Sequence, residues 1–97
     1  MVSTNIAQGS SDWASASGTV SGGYKKYVIM CGSRGALYNT AVIDADVLEV
    51  QGIRVSSYWN TTNLGQITIA KSGNAFAYDA IAKTSSLAFD YSIYGLK

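Results

Sequence analysis

The chain has 97 residues, of which 13% are charged and 47% are apolar, and its formal net charge is +1. This length suits one domain, residues 1–97, with a single modest core. The seven Lys and Arg residues are scattered along the sequence, whereas nucleic-acid binding needs a clustered basic surface. No apolar run approaches the roughly 18 residues of a membrane span. We therefore expect neither a nucleic-acid partner nor membrane insertion.

Residues 1–20 are predicted to be either an extended N-terminal segment or linker, or to end in a short edge strand at Thr19 and Val20 before a Gly-rich turn. This segment lacks the basic start and apolar stretch of a signal peptide. Cys31, the single cysteine, has no internal disulfide partner. We expect synthesis in a reducing cytosol and a buried, structural thiol at Cys31.

Alternation of apolar and polar residues then predicts a series of strands. Residues 23–32, GYKKYVIMCG, carry apolar groups on both faces near their end, which is typical of a central strand. Residues 65–81 contain two alternating runs around Ser-Gly-Asn, which predicts a hairpin. Residues 86–97 alternate as a half-buried last strand. Further strands are expected in residues 34–44 and 49–59, and residues 44–50, DADVLEV, fit either a helical turn or a bent strand.

These elements place the chain in the all-β class. Six to eight short strands, spaced by turn signals every 8–12 residues, predict a small antiparallel β-sandwich or jelly roll with room for one short helical turn. The sequence contains no proline that could protect the edge strands. Pairing with other copies of the chain is then the simplest way to cover those edges.

The residues that could carry chemistry are few. Because the sequence contains no histidine, it excludes Ser-His-Asp and Cys-His catalysis and the usual zinc sites. The acids Asp44, Asp46 and Glu49 could form a carboxylate pair or contribute oxygen ligands to Ca²⁺, but solvated carboxylates with Asp44 as a helix N-cap are favoured. We expect no enzyme activity, no metal and no cofactor. The turn in residues 31–37, CGSRGAL, lacks the phosphate-loop spacing.

Aromatic residues beside amides provide the best candidates for ligand contact. The sequence has eleven aromatic residues, seven of them tyrosine, which is more than so small a core is expected to need. An aromatic plane next to Asn side chains could hold a sugar, although packing in the core or between subunits is favoured for each ring taken singly. The candidate carbohydrate-binding residues are Tyr58, Trp59, Asn60 and Asn63, with Tyr38 and Asn39 as a second pair.

Three stretches carry a family resemblance. They are residues 25–48, KKYVIMCGSRGALYNTAVIDADVL, the hairpin in residues 67–79, ITIAKSGNAFAYD, and residues 91–97, YSIYGLK. Together they resemble the small C-terminal β-domains of tailed-bacteriophage tail-fibre, tailspike and related virion proteins. The resemblance implies a location in the virion tail after synthesis in the host bacterial cytoplasm. It also implies a homotrimer or other homo-oligomer that contacts further virion proteins.

Two functions are compatible with this resemblance. The first is a non-catalytic domain that binds a bacterial surface polysaccharide, trimerises the fibre, or does both. The alternative is a purely structural virion protein, a trimerisation cap or a capsid decoration, that binds no ligand. A cellular lectin-like sandwich is a more remote possibility. The resemblance carries no catalytic signature, so it assigns no catalytic residue.

Overall fold

A computed structural model describes residues 3–11, 15–33, 36–59, 61–83 and 89–97. The predicted all-β class is confirmed, since the described residues form eight antiparallel strands and one short helix. The elements in chain order are β1 Ser3–Ser11, β2 Ser15–Val20, β3 Lys26–Ser33, β4 Ala36–Asp44, α1 Ala45–Gln51, β5 Ile53–Trp59, β6 Thr62–Ser72, β7 Ala75–Ala82 and β8 Phe89–Leu96. No helix in these ranges is long and apolar enough to cross a membrane.

The strands form two four-stranded sheets, with orders β1-β8-β3-β4 and β2-β7-β6-β5. The first two strands pair with the last two, β1 with β8 and β2 with β7, so both ends of the chain are built into the sandwich. In a fully wound jelly roll this nesting would continue to β3 with β6 and β4 with β5. Here β3 instead pairs with β4, and β5, β6 and β7 pair in succession. The strand order is therefore that of a sandwich with nested outer strands.

The segment predicted as a linker or edge strand contributes β1 and β2. Strand β2 lies at the edge of its sheet, as expected for Thr19 and Val20, and Val20 is buried. The predicted hairpin forms between β6 and β7, with Gly73 at φ 63° in its turn. Glycine is suited to that left-handed conformation.

Alternating residues from both sheets meet in one core. Strand β3 is central in its sheet, as predicted, and it buries Tyr27, Ile29 and Cys31. The expected burial of Cys31 is confirmed, and that burial raises the pKa of its thiol from 9.0 to about 11. The other buried apolar residues are Val20, Ile43, Leu48, Val55, Leu64, Ile67, Ile69, Phe76, Ala80, Phe89, Tyr91 and Ile93.

The ambiguous DADVLEV segment forms helix α1, which is anchored by the fully buried Leu48. Asp44 occupies the N-cap position, but its carboxylate makes no capping hydrogen bond. Asp44 Oδ1 instead lies 3.0 Å from Lys26 Nζ on the neighbouring strand. The helix ends at Gly52, which has φ 70° and donates its N–H to the Leu48 carbonyl at 3.1 Å. A Cβ at Gly52 would lie 2.8 Å from the Ile69 carbonyl oxygen, so glycine is needed there for space as well.

Most of the aromatic side chains that the structure describes lie in the core or against it. Of the eight aromatic side chains that the structure describes, four are buried, three are half-buried and one is mostly exposed. The buried ones are Tyr27, Phe76, Phe89 and Tyr91, and the half-buried ones are Tyr24, Tyr78 and Tyr94. The expectation of a surface surplus therefore applies, among these eight, chiefly to Tyr58, whose side chain is 52% exposed.

Candidate functional site

Tyr58 lies where β5 approaches its turn into β6. Ser57 pairs with Gly65 but Tyr58 pairs with Asn63, so Leu64 is one extra residue in β6 and forms a β-bulge. Residues directly opposite one another in an antiparallel pair point to the same face of the sheet. The exposed Tyr58 ring and the half-buried Asn63 side chain are therefore neighbours on the outer face.

Hydrogen bonds fix the bulge that lies beside Tyr58. Asn63 Oδ1 accepts a hydrogen bond from the Gly65 N–H at 3.0 Å, and the Leu64 carbonyl accepts one from the Lys83 N–H at 3.0 Å. The Leu64 side chain is fully buried. Because these contacts fix the bulge in β6, the strand that pairs with β5 is constrained beside Tyr58.

The second predicted pair lies along the same side of the sandwich. Asn39 is directly opposite the buried Cys31 and so faces the core side of its sheet. Its Nδ2 donates a hydrogen bond of 2.6 Å to the carbonyl oxygen of Ser56, two residues before Tyr58. Since β4 and β5 are edge strands of different sheets, this bond joins the two sheets along one side.

Tyr58 and Asn63 thus lie together on the outer face, and Asn39 binds β5 from the core side two residues away; we call these three residues the Tyr58 edge. The fold also gives both amides a structural role that the sequence did not indicate, since each binds a backbone group. The backbones of Tyr38 and Trp59 lie in β4 and β5, but their side chains and the whole of Asn60 lie outside the described residues. The proposed sugar contacts of these three residues stay predictions.

A cleft of about 310 Å³ lies at the other end of the sandwich. Asn63 and Lys71 lie near the two ends of β6, and the eight residue steps of extended strand between them span about 26 Å. We call this feature the Tyr24 cleft. Its lining comes from the β2–β3 connection, helix α1 and the β6–β7 turn, and it includes Tyr24, Tyr27, Phe76, Asp46, Glu49, Lys71 and Asn74.

Aromatic rings form the inner part of this cleft. The fully buried Tyr27 ring packs edge-on against Phe76, with centroids 5.1 Å apart, and against Tyr24, with centroids 5.8 Å apart. Tyr27 Oη donates a hydrogen bond of 2.8 Å to the Ser21 carbonyl. Burial raises the pKa of Tyr27, so the phenol stays protonated at neutral pH and keeps donating. These buried rings therefore form a fixed base beneath the cleft, and the half-buried Tyr24 is its accessible ring.

Polar side chains form the outer walls. Asp46 and Glu49 are three residues apart on α1, which places them on one face of the helix. From the hairpin side, Lys71 Nζ approaches Glu49 Oε1 to 3.9 Å, and both side chains are about half exposed. Gly23 and Gly73 have φ of 97° and 63°, and a Cβ at either would meet nothing within 4 Å, so they leave the mouth of the cleft open.

Tyr24 is positioned by the end of the chain. The Lys25 N–H donates to the Leu96 carbonyl at 2.9 Å, which brings the start of β3 beside the end of β8. A Cβ at Gly95 would lie 2.4 Å from the Tyr24 ring, so the ring lies directly on this glycine. Lys97 Nζ lies 5.6 Å from the centroid of the same ring, within the range of a cation–π contact. The C-terminal residues thus hold Tyr24 at the rim of the cleft.

The described residues show how far nucleophilic and metal chemistry could go. They contain no group of three or more His, Cys, Asp or Glu side chains that could hold a metal ion. The Cys31 thiol, with its pKa near 11, is protonated and buried at neutral pH and is therefore a poor nucleophile. The two sites present rings, amides and carboxylates at the surface.

Sequence reasoning missed the Tyr24 cleft because its parts are far apart along the chain. The lining residues come from residues 22–27, 45–49 and 71–76. The available signal was a Gly-Gly-Tyr connection and a Ser-Gly-Asn turn, both of which were interpreted only as turns. Their proximity depends on the strand order, which the alternation pattern does not reveal.

Comparisons with known proteins add no relative. No family model matches the chain, and neither the curated proteins nor the solved structures gave a significant match.

Proposed function

We propose that this chain is a non-catalytic domain of a phage virion protein, of the tail-fibre or tailspike type, that binds carbohydrate on the host surface. The observation that carries the proposal is the exposed Tyr58 ring, held beside Asn63 by a β-bulge at a strand end. The resemblance of residues 25–48, 67–79 and 91–97 to virion β-domains supplies the context, which is a location in the virion tail.

The Tyr58 edge has the chemistry that a sugar needs. A sugar ring presents a C–H face that can stack on an aromatic plane, while its hydroxyls take hydrogen bonds. Asn63 is fixed through Oδ1, and its Nδ2 carries two N–H donors on the same face as the ring. Because this side chain is already ordered, a ligand would lose less free energy to side-chain ordering than at a mobile asparagine.

Such a small contact surface gives weak binding for one copy. Linking several copies makes each later contact intramolecular, so avidity can exceed the single-site affinity by about 10²–10⁴. A homotrimer or other homo-oligomer in a virion tail would supply those copies. The proposal therefore requires multivalent display for both function and detection.

The test is binding of the multivalently displayed chain to a panel of bacterial surface polysaccharides. We expect wild type to bind and Tyr58→Ala to lose at least about tenfold in apparent affinity. Arg54→Ala is the matched control, because Arg54 is also exposed on β5, two alternations away from Tyr58. Trp59→Ala extends the test to the adjacent ring. The proposal is overturned if wild type binds no polysaccharide, or if Tyr58→Ala binds as well as wild type.

One observation favours the alternative, a purely structural virion protein. Three valines near the junction of β4 and α1 are exposed, namely Val42 by 58%, Val47 by 42% and Val50 by 86%. Valine is a weaker helix former than alanine or leucine, so Val47 and Val50 bring no local advantage to α1. Burying these side chains between subunits would add stability at roughly 25 cal/mol per Å² of apolar surface.

Molecular mass in solution separates this alternative from the first function. If the valines form a subunit interface, Val42→Thr/Val50→Thr should shift the oligomer toward monomer, as measured by light scattering. Thr40→Ser, on the same outer face as Val42, is the control and should leave the mass unchanged. An oligomer that dissociates in the valine variant, from a wild type that binds no polysaccharide, would favour the structural role. An unchanged mass in the valine variant would exclude these valines as the interface.

A further inference from the structure

We propose that the Tyr24 cleft is a second binding site and that it takes a single uncharged sugar residue. This inference goes beyond the proposed function, which places carbohydrate binding at the Tyr58 edge, about 26 Å away along β6. The two sites share no residue, so either can fail without the other. The argument rests on the shape of the cleft, its polar groups, its charge and its rigidity.

The shape of the cleft suits one small ring. Its volume of about 310 Å³ is at the lower end of the roughly 300–1,000 Å³ found for small-molecule sites. The Tyr27 and Phe76 rings lie beneath the cleft and are only 0% and 4% exposed, so the aromatic surface that the C–H face of a sugar can reach is the half-buried Tyr24 ring at the rim. An extended polymer would not fit as a whole, whereas one residue of it would.

The walls combine hydrogen-bond acceptors with donors. Asp46 and Glu49 are acceptors, Lys71 is a donor, and the Asn74 amide is both. Each sugar hydroxyl both donates and accepts, so a polyhydroxylated ring can use both walls. A purely apolar ligand would offer no hydrogen bond to these four side chains. It would gain only contact with the aromatic lining of the cleft.

The charges on the walls favour an uncharged ligand. Two carboxylates face the Lys71 ammonium, which lies 3.9 Å from Glu49, and Lys97 at the Tyr24 rim brings the charges around the cleft into balance. An anionic sugar would bring its carboxylate toward Asp46 and Glu49, which is repulsive. A cationic amino sugar would compete with Lys71 for Glu49. A neutral sugar can hydrogen-bond to both walls while this ion pair stays intact.

The cleft is also largely formed before binding. Tyr27 is fixed by its hydrogen bond to Ser21, Tyr24 by its contact with Gly95, and the helical wall by the buried Leu48. A site that is already ordered loses little conformational freedom when a ligand enters. Millimolar affinity for a monosaccharide is what we expect from so small a contact.

The experiment is a titration of the ¹⁵N-labelled chain, followed by amide chemical shifts. The probes are galactose and N-acetylglucosamine as neutral sugars, glucuronate as an anion and glucosamine as a cation. We expect the neutral sugars to shift amides of residues 22–24, 46–49 and 71–75 at millimolar concentration. The charged sugars should cause smaller shifts or none.

The variants assign the effect to the cleft. Asp46→Ala/Asn74→Ala removes one polar group from each wall, and both residues are exposed, so the fold should be retained. We expect this variant to weaken neutral-sugar binding at least about fivefold, measured from the titration midpoint. Arg54→Ala/Thr68→Ala, a directly opposed pair on β5 and β6 that lies outside the cleft lining, is the matched control and should bind as wild type does.

Tyr58→Ala separates this inference from the proposed function. The second site is supported if neutral sugars still shift the cleft amides in Tyr58→Ala but bind more weakly to Asp46→Ala/Asn74→Ala. This conclusion would hold even if the polysaccharide test at the Tyr58 edge fails. The inference is overturned if neither neutral sugar shifts cleft amides, if the shifts follow Tyr58 instead, or if only a charged sugar binds. Equal binding by the cleft variant and wild type would overturn it as well.

Discussion

The two ends of the sandwich each place an aromatic ring directly on a glycine, with different results. At the Tyr58 end, a Cβ on Gly65 would lie 2.5 Å from Phe89 Cγ and 2.6 Å from the Ile81 carbonyl oxygen. At the other end, a Cβ on Gly95 would lie 2.4 Å from Tyr24, and the three nearest atoms all belong to that ring. Phe89 is fully buried, whereas Tyr24 is half-buried.

The same contact, an aromatic ring lying on a glycine, serves a different purpose at each end. Phe89 crosses from its own sheet to Gly65 in the other, so the ring on glycine helps to close the core. Tyr24 lies outside the strands and covers Gly95 at the end of β8, so its ring remains available to line a cleft. We call the end with Gly65 and Phe89 the closed end, because this contact stabilises the core. We call the end with Gly95 and Tyr24 the open end, because its ring can contact a ligand.

The closed end should be the most sensitive to substitution. In Gly65→Ala the new methyl group would overlap a buried ring and a backbone carbonyl, neither of which can move freely. We expect the free energy of unfolding to fall by about 3 kcal/mol, at the upper end of typical overpacking effects. Urea denaturation followed by circular dichroism measures this change.

Gly73→Ala is the control for this substitution. Gly73 has φ 63° but open space around it, so alanine there should lose only the left-handed preference, about 1 kcal/mol. If Gly65→Ala were no more destabilising than Gly73→Ala, the close contact between Gly65, Phe89 and Ile81 would not exist in solution.

Sequence patterning identified most of the strands, although not β1, and did not reveal this packing. Alternation in residues 65–81 identified β6 and β7 because a half-buried strand imposes a period of two. The same alternation cannot show that Leu64 is an inserted bulge residue, or that Phe89 of a distant strand lies on Gly65. Those features depend on how the two sheets are stacked, which local periodicity does not encode.

The next largest effect should appear at alkaline pH. Burial raises the pKa of Cys31 from 9.0 to about 11, and burial together with a hydrogen bond to Tyr78 raises the pKa of Tyr91 from 10.0 to about 12. In both cases the folded state favours the protonated form. The Cys31 contribution is therefore complete below pH 9 and is lost as the pH rises toward 11.

Urea denaturation across this pH range tests the effect. The free energy of unfolding should fall above pH 9, and Cys31→Val should fall less steeply because it removes one of the groups whose pKa burial raises. Parallel pH profiles for wild type and Cys31→Val would mean that the thiol is not desolvated. The effect is expected in the closed core, where Cys31 pairs with Asn39 and Tyr91.

Substitution at Gly95, the glycine of the open end, should destabilise the protein less than substitution at Gly65. A second substitution, at Tyr24, should remove the effect. In Gly95→Ala the new methyl group would push Tyr24 aside, and a half-buried ring can move toward solvent. We expect a loss of about 1 kcal/mol, with weaker binding of neutral sugars in the cleft. Unfolding and sugar titration of the same protein measure both.

A second substitution shows whether the ring causes that loss. In a Tyr24→Ala background Gly95→Ala should become nearly neutral, because the clashing ring is gone. The corresponding cycle of Gly65→Ala in a Phe89→Leu background should keep much of its effect, since the Ile81 carbonyl remains. Equal rescue at both ends would remove the distinction between them.

The candidate site illustrates a second limit of sequence reasoning. The polar-aromatic pairs at residues 38–39 and 58–63 were singled out separately, and the structure places parts of them on neighbouring edge strands. The amides of Asn39 and Asn63 fit a sugar-binding site, but Asn side chains also bind backbone groups in turns. The sequence alone does not separate these two uses. Only the hydrogen-bond partners, Ser56 and Gly65, distinguish these two uses.

The smallest effect should come from Asn39→Ala. Its amide donates the hydrogen bond to Ser56 that links β4 to β5, and a half-buried bond of this kind contributes about 1 kcal/mol at most. If the bond also sets the spacing of the Tyr58 edge, the variant should weaken polysaccharide binding more than this loss of stability explains. Asn39→Asp keeps the shape of the side chain but replaces the donor with an oxygen that the Ser56 carbonyl repels, so its binding should fall at least as far as that of Asn39→Ala. Binding retained in Asn39→Asp and lost in Asn39→Ala would show that Asn39 contacts the ligand itself instead of positioning Tyr58.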